Sequence, residues 1–168
     1  IEALAELFLA RLLPPRRLRT FEKQPLGAAA SERQLLEAWY EEGLKHVYAG
    51  FAQLVVHGTS DNVLHSKQLM VRMLANMLGG APELERELLP ALVNKLGDPE
   101  KKVASRLTHL MHALLQQHPA MKPVLLAEVQ RFVLRPGMAE RALYYACTFL
   151  NQLVLSRREP EVAQQLLT

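Results

Sequence analysis

The sequence predicts an all-α fold, and within that class a short α-solenoid of antiparallel helix pairs of the HEAT or armadillo type. Apolar residues recur at the spacing of one buried helical face along most of the 168 residues. Helix pairs follow one another at intervals of about 40 residues, which is typical of HEAT repeats. No segment shows the period-two alternation of a half-buried strand.

The clearest helix pair turns at Gly97-Asp98-Pro99. Gly97 ends the first helix, Asp98 is predicted to be the N-cap of the second, and Pro99 suits the first helical position, where its missing N–H is not needed. Pro90 lies inside the first helix and is expected to kink or split it, because it removes a backbone donor. The two predicted buried faces are Leu84, Leu88, Leu89, Leu92, Val93 and Leu96, then Val103, Leu107, Leu110, Met111, Leu114 and Leu115.

A second helix pair follows this hairpin. Its two helices are separated by residues 135–137, an Arg-Pro-Gly sequence that stops a helix. The apolar stripes that predict the helices are Met121, Leu125, Val129, Phe132 and Val133, then Ala142, Ala146, Phe149, Leu150, Leu153 and Val154.

A third helix pair precedes the hairpin. Ser31 and Gln34 form a capping box that begins a long helix ending at Gly58, and a partner helix is predicted over residues 62–78. The apolar stripe of the long helix is Leu36, Tyr40, Leu44, Val47, Phe51, Leu54 and Val55. Met70, Met73 and Met77 in the partner helix could receive a helix from another protein, but packing against the preceding helix is favoured.

The first 30 residues are predicted to be a separate part. Residues 1–13 mix charged and apolar side chains and are far fewer than the ~20 that a membrane span requires, so an amphipathic helix is favoured. Prolines block helix formation in residues 14–25, a basic linker that is expected to lie extended on the surface. Residues 31–168 then form a single solenoid segment. The chain opens without Met and closes on a helical pattern at residues 161–168, so we expect it to belong to a longer protein.

Composition and motifs argue against an enzyme. A hydrophobic content of 49% and a charged content of 22% are typical of a folded protein. The only cysteine, Cys147, cannot form an internal disulfide, which favours a reducing compartment, and it is predicted to be a small buried core residue. His109 and His112 are three residues apart, but no further ligand at a matching spacing completes a metal site. We therefore expect no catalytic residue, no metal, no cofactor and no small-molecule substrate.

Two aromatic pairs could stack nucleobases. Trp39-Tyr40 and Tyr144-Tyr145 lie within or beside the apolar stripes of predicted helices. Side chains in such positions are usually in the core or half-buried. We therefore predict packing rather than base stacking for them.

The basic residues are the candidate nucleic-acid contacts. The net charge is only +3, but the isoelectric point is near 9.2. A basic protein of this kind favours acidic or phosphate-bearing partners. Four cations lie in the linker and three open the helix after the hairpin turn, where N-terminal N–H groups also favour anions. The alternative is an ordinary solvated charged surface. The candidate residues are Arg16, Arg17, Arg19, Lys23, Lys101, Lys102 and Arg106.

Several runs of sequence resemble the CCAAT-binding-factor or nucleolar complex protein family. Their order and spacing match over most of the chain, with departures at Pro15 and in the bland linker 27–30. The matching runs are residues 92–99, 103–105, 118–122, 128–129, 132 and 141–152, preceded by 12–14, 16–21, 24–26, 39–41 and 44–45.

The resemblance implies a nuclear, nucleolar assembly factor for the large ribosomal subunit. A member of this family is expected to be an α-solenoid that forms a heterodimer with a second nucleolar complex protein and binds pre-ribosomal particles and their pre-rRNA. It is not expected to bind a membrane. Two other functions stay open: a regulator that binds CCAAT-box DNA, and an adaptor that binds only proteins. The family name implies no catalytic residue.

Overall fold

The computed structural model of the chain describes residues 1–27, 30–154 and Gln164. Within these residues there is no strand, so the all-α prediction is confirmed. A π-helical turn (Phe8–Leu12) extends the first helix, and a 3₁₀ helix (Asn94–Gly97) extends the fourth. The helices are α1 (Glu2–Leu7), α2 (Glu32–Gly58), α3 (Leu64–Gly80), α4 (Glu85–Val93), α5 (Lys101–Gln117), α6 (Lys122–Val133) and α7 (Glu140–Asn151). Apart from Gln164, the C-terminal helical pattern predicted at residues 161–168 lies outside the described residues.

Helices α3 and α5 lie side by side and run in the same direction. Their N-terminal ends meet where Lys67 pairs with Asp98, with an Nζ–Oδ1 distance of 3.4 Å. Their C-terminal ends meet where Gly79 faces Leu114. Helix α2 packs on α3, α4 packs on α3 and α6, and α7 packs on α5 and α6. The largest fully buried side chains between them include Tyr48, Leu74, Met77, Leu92, Leu107, Met111, Leu125 and Phe149.

The long helix α2 begins as predicted but buries a different face. The Ser31 hydroxyl accepts the Gln34 N–H, and the Gln34 side chain accepts the Ser31 N–H, which completes the capping box. The predicted stripe is only partly buried, since Leu36, Tyr40, Val47 and Leu54 are exposed while Tyr48 and Ala52 are buried instead. The helix is apolar on two sides, so periodicity alone did not distinguish its inner side from its outer side.

The hairpin turn lies where it was predicted, but α5 begins later. Its N-cap is Glu100, so the assignment of Asp98 as N-cap and of Pro99 as the first helical position is wrong. The Asp98 carboxylate accepts the Glu100 N–H at 2.9 Å and pairs with Lys67 and Lys95. Asp98 therefore ties the turn to its neighbours instead of capping the helix.

Helix α4 starts after Leu84, whose φ of 58° is in the left-handed region. This conformation costs free energy for a branched side chain. A kink or a split was expected at Pro90; the split does not occur, since the helix continues through Pro90 to Val93. A proline removes only one backbone donor, and the rest of the helix is held by its buried leucines.

The basic linker lies mostly on the surface and without a regular helix, as expected, but it is not extended throughout. Leu18 is 4% exposed and belongs to the hydrophobic core, and a 3₁₀ turn forms at Phe21–Lys23. The expectation rested on the prolines, which exclude a helix in this segment. It missed the carboxylates on α2 and at the start of α4 that hold this segment in place.

Three further predictions concern individual side chains. Cys147 is exposed, so its assignment to the core is wrong: it lies on the side of α7 opposite the buried Ala146 and Phe149. The aromatic pairs are also more exposed than predicted, with Trp39 at 67% and Tyr144 at 65%. The favoured packing of the methionines is confirmed, since Met70, Met73 and Met77 are all buried.

Candidate nucleic-acid interface

Two of the candidate cations are paired with carboxylates of the helices beneath them. The Arg16 guanidinium donates to both oxygens of Glu41, at 2.5 and 2.9 Å. Arg17 donates through Nη2 to Glu85 at 3.1 Å and through Nε to the Pro82 carbonyl at 3.2 Å. A phosphate would have to compete with these carboxylates, so Arg16 and Arg17 are poor candidates for nucleic-acid contact.

Glu41 is the centre of this arrangement. Besides Arg16, it accepts the backbone N–H of Arg19 at 2.8 Å and the side-chain amide of Gln24 at 2.9 Å. The hydrogen bond from Arg16 lowers the pKa of Glu41 to about 2, against the opposing effect of burial. The same bond raises the pKa of Arg16. One carboxylate on α2 therefore fixes three residues of the basic linker.

A second buried carboxylate fixes the backbone at Leu18. Glu83 is 4% exposed and accepts the Leu18 N–H at 2.7 Å. Lys45 pairs with Glu83 at 3.2 Å and also donates to the Leu18 carbonyl at 2.8 Å. Both polar groups of this buried peptide are thus satisfied, as burial requires.

The side chains of Arg19 and Lys23 remain available. Both residues are exposed, and neither makes an ion pair with any residue in 1–27 or 30–154. Because the neighbouring backbone is held by Glu41, these two cations project from an ordered segment. They are the part of the linker that can reach a phosphate.

The beginning of α5 presents a second group of cations. Lys101, Lys102 and Arg106 are exposed and form no ion pair with the described part of the chain. Lys102 and Arg106 are four residues apart and so lie on the same side of the helix. The positive end of the α5 dipole coincides with this group, which further favours an anion.

Helix α3 adds residues that the sequence analysis missed. His65, Gln68 and Arg72 line a shallow depression together with Arg106 of α5. Arg72 is already paired with Glu2 of α1, whereas His65 is exposed. The available signal was the spacing i, i+3, i+7 of these three polar residues, which places them on one side of α3. Only the packing of α3 against α5 shows that they adjoin Arg106.

The structure keeps the two groups of cations apart. Pro15 in the linker lies beside Gly80 and His118, at the C-terminal ends of α3 and α5. Lys101 and Lys102 stand at the N-terminal end of α5, which is 17 residues long. At a rise of 1.5 Å per residue α5 is about 25 Å long, so Pro15 lies about that far from the two lysines. A single ligand that touched both groups would have to be an extended polymer.

Within the part of the chain that the structure describes, no three His, Cys, Asp or Glu side chains lie together in a way that could hold a metal ion. His112 hydrogen-bonds to the Gln152 side chain at 3.1 Å and packs against the Phe149 ring, which accounts for one member of the histidine pair. No described helix is long and apolar enough to cross a membrane.

The structure defines the class of protein as an all-α chain with two groups of exposed basic residues. No family model matches the chain. Individual proteins do, including CCAAT/enhancer-binding protein zeta of Mus musculus, 35% identical over the whole chain, and nucleolar complex protein 1 of Drosophila melanogaster, 34% identical over 99% of it. Ribosome biogenesis protein NOC1 of Chaetomium thermophilum is 37% identical over 90% of the chain.

The chain belongs to the CCAAT-binding factor family, which includes these nucleolar complex proteins. It covers only part of each relative: 17% of the mouse protein, 15% of the Drosophila protein and 16% of the Chaetomium protein.

Proposed function

We propose that this protein is a non-enzymatic scaffold in large ribosomal subunit biogenesis that binds pre-ribosomal RNA and a protein partner. The names of the Chaetomium and Drosophila relatives, which refer to ribosome biogenesis and to a nucleolar complex, support this role and a nuclear, nucleolar location. The helices α3, α5 and α7 pack in one row and α2, α4 and α6 in another. This arrangement supports a HEAT-like solenoid.

The main support for RNA binding is the group of exposed cations at the start of α5. Lys101, Lys102 and Arg106 have no carboxylate partner in the described residues, so their charge can neutralise phosphates. We propose that the RNA backbone contacts this group and then Arg19 and Lys23 at the other end of α3 and α5. Arg16 and Arg17 contribute less, because Glu41 and Glu85 occupy them.

The partner that we propose is a second nucleolar complex protein, bound as a heterodimer within the pre-ribosomal particle. A scaffold of this kind uses extended helical surfaces and needs neither a cofactor nor a small-molecule substrate. Removing the partner is expected to detach the protein from pre-ribosomes.

Crosslinking to RNA in cells tests the RNA half of this function. We expect crosslinked peptides to contain residues 101–106 and 19–23, and the RNA to be pre-rRNA of the large subunit. Absence of the protein from nucleolar pre-ribosomes, with no RNA crosslink in the linker, would overturn the RNA half. Complexes that survive nuclease would instead support a pure protein adaptor.

A second function is favoured by one observation, the name of the mouse relative as a CCAAT/enhancer-binding protein. The α5 cations argue for phosphate contact, which positions a protein on nucleic acid without reading its sequence. Competition binding decides between the two functions. A strong preference for a CCAAT duplex over scrambled DNA at physiological salt would establish the DNA regulator.

A further inference from the structure

A small depression lies between the N-terminal halves of α3 and α5, and we name it the α3/α5 depression. Its volume is about 60 Å³, far below the roughly 300–1,000 Å³ of a small-molecule pocket, so it holds a group of a few heavy atoms. None of the described residues that line it is acidic, and all but one carry a side-chain N–H. These residues are His65, Gln68, Leu69, Arg72 and Arg106. Such a lining suits a small anion with several oxygens that accept hydrogen bonds.

Three of these polar side chains have no partner in the part of the chain that the structure describes. His65, Gln68 and Arg106 make neither a hydrogen bond nor an ion pair with residues 1–27 or 30–154. Gln68 and His65 are one turn apart on α3, and Arg106 approaches them from α5. Their donors are therefore available to an anion from outside.

Arg72 differs, because it pairs with Glu2 of α1. Both side chains are well exposed, 42% for Arg72 and 60% for Glu2, and an ion pair in such a position contributes little to stability. The pair of Arg16 with Glu41 is held more firmly, since the Glu41 side chain is only 13% exposed and accepts two further hydrogen bonds. Of these two arginines, Arg72 is the one whose carboxylate a phosphate can displace.

The position of Arg72 allows it to serve either partner. It lines the α3/α5 depression together with Arg106, and it also lines a second depression between α1 and α3, beside Glu2. The long, flexible stem of an arginine lets its guanidinium move between two such sites while the stem stays on the helix.

We propose that the α3/α5 depression binds one phosphate of an RNA backbone, and that Arg72 leaves Glu2 to bind this phosphate together with Arg106. This inference rests on the proposed function in RNA binding. Each guanidinium can donate two parallel hydrogen bonds to phosphate oxygens, and His65 and Gln68 add further donors. Glu2 is then a carboxylate that the phosphate has to displace.

A strand of phosphates fits this region better than a single phosphate group. Lys102 lies one turn before Arg106 on the same side of α5, about 6 Å along the helix axis. Lys102 is exposed and has no ion-pair partner among the described residues. A neighbouring phosphate of the same strand therefore meets a second cation, which the phosphate of a single modified side chain would leave unused.

Removal of the competing carboxylate tests the exchange. The affinity of the intact protein for a fluorescent single-stranded RNA would be measured by anisotropy. We expect Glu2→Gln to strengthen binding by about twofold to fivefold, the range that corresponds to an exposed ion pair. Glu6→Gln is the matched control: it removes the same charge one turn further along α1, from an exposed residue without an ion pair in the described part of the chain. It should change the affinity much less, and both variants should melt close to the unaltered protein.

Arg72→Met separates the exchange from a general effect of charge, because methionine keeps the apolar stem of the side chain. Once Arg72 is replaced, adding Glu2→Gln should leave the affinity unchanged. In the Glu2→Gln protein, Arg72→Met should lower the slope of log affinity against log salt by about 0.7, the contribution of one phosphate on a single strand. If Glu2→Gln strengthens binding equally with and without Arg72, or if Glu6→Gln has the same effect, only long-range repulsion is relieved and the proposal is overturned.

The same variants identify the ligand when a phosphoserine peptide replaces the RNA. A gain from Glu2→Gln with RNA and not with the peptide supports the proposal, whereas a gain with the peptide alone overturns it. If the unaltered protein binds no RNA, the proposed function fails and this inference with it. If RNA binding depends on the α5 cations but is the same in Glu2→Gln and Arg72→Met, only this inference is overturned.

Discussion

Arg16 and Glu41 form a two-point ion pair across 25 positions of sequence, and this pair decides how the basic linker lies. The carboxylate also accepts the Arg19 N–H and the Gln24 amide. A segment with four cations is thereby held against α2 instead of being repelled into solvent. Glu41 neutralises the charge of Arg16, which would otherwise be available to a nucleic acid.

The stability of the protein should therefore depend on Glu41 in acid. Its pKa is lowered in the folded state to about 2 from 4.5. A carboxyl with a lowered pKa contributes stability above its unfolded pKa and loses that contribution as pH falls towards the folded value. We expect the free energy of unfolding to fall between about pH 4.5 and about pH 2, with about 1–2 kcal/mol due to this group, because half-exposed Arg16 is screened by solvent.

Urea unfolding across this pH range measures the effect. Glu41→Gln should lose the pH-dependent component, while Glu22→Gln, an exposed carboxyl of the same segment, should keep it. Equal acid sensitivity in the Glu41→Gln protein would show that other carboxyls cause it.

The basic linker shows where sequence reasoning stops. Its prolines and its cations are visible in the sequence, and they correctly exclude a regular helix. The carboxylates that bind it are Glu41 of α2, Glu85 of α4 and Glu83 just before α4, and their approach depends on tertiary packing. The prediction of seven cationic contacts therefore included two, Arg16 and Arg17, that the fold largely neutralises.

Tyr48 tests what a buried hydroxyl without a hydrogen-bond partner costs the stability of the protein. The residue is fully buried, its ring packs edge-on against Phe8, and its hydroxyl has no hydrogen-bond partner among the described residues. Burial, followed by the charge of Glu83, raises the pKa of this hydroxyl to about 12. An unsatisfied buried hydroxyl is unfavourable. We expect Tyr48→Phe to leave stability unchanged or to raise it by up to about 1 kcal/mol.

Thermal unfolding with Tyr40→Phe as the exposed control checks this expectation. The control should melt with the unaltered protein. If Tyr48→Phe instead loses more than about 1 kcal/mol, the hydroxyl makes a favourable interaction, such as one with ordered water.

Asp98 should be among the most sensitive positions in the hairpin turn. Its side chain is 3% exposed and faces two lysines, Lys67 at 3.4 Å and Lys95 at 3.9 Å. Removing the carboxylate leaves these ammonium groups without their counter-charge in a partly dry site. We expect Asp98→Ala to cost about 2–4 kcal/mol in chemical unfolding. Glu100→Ala, exposed and two residues away, should change stability by less than about 0.5 kcal/mol.

The positions of the helices in the sequence were largely predictable, whereas the face that each helix buries was not. Capping by Ser31 and the period of apolar residues placed α2 through α7, because both signals are local. Which side of a helix is buried depends on its neighbours. In α2 both sides are apolar, so Val47 and Leu54 were assigned to the wrong side. In α7 a small apolar residue next to a packing face, Cys147, turned out to be exposed.

The salt dependence of RNA binding separates the paired cations from the unpaired ones. Each phosphate neutralised by a protein cation on a single strand contributes about 0.7 to the slope of log affinity against log salt. Replacing Lys101, Lys102 and Arg106 together by alanine should lower both the affinity and this slope, the latter by about 2. Replacing Arg16 and Arg17 should change the slope by much less, because their charge is already balanced by Glu41 and Glu85.

Fluorescence anisotropy with a single-stranded RNA over a salt series provides both slopes. If the slope decreases equally in the α5 variant and in the Arg16/Arg17 variant, RNA displaces the carboxylates from these arginines. The intramolecular pairs would then be competitors that RNA overcomes, and Glu41→Gln would be expected to strengthen binding by releasing Arg16. If the slope decreases only in the α5 variant, the electrostatic contact lies at the N-terminal end of α5. The paired arginines are near the opposite end of this helix, which is about 25 Å long.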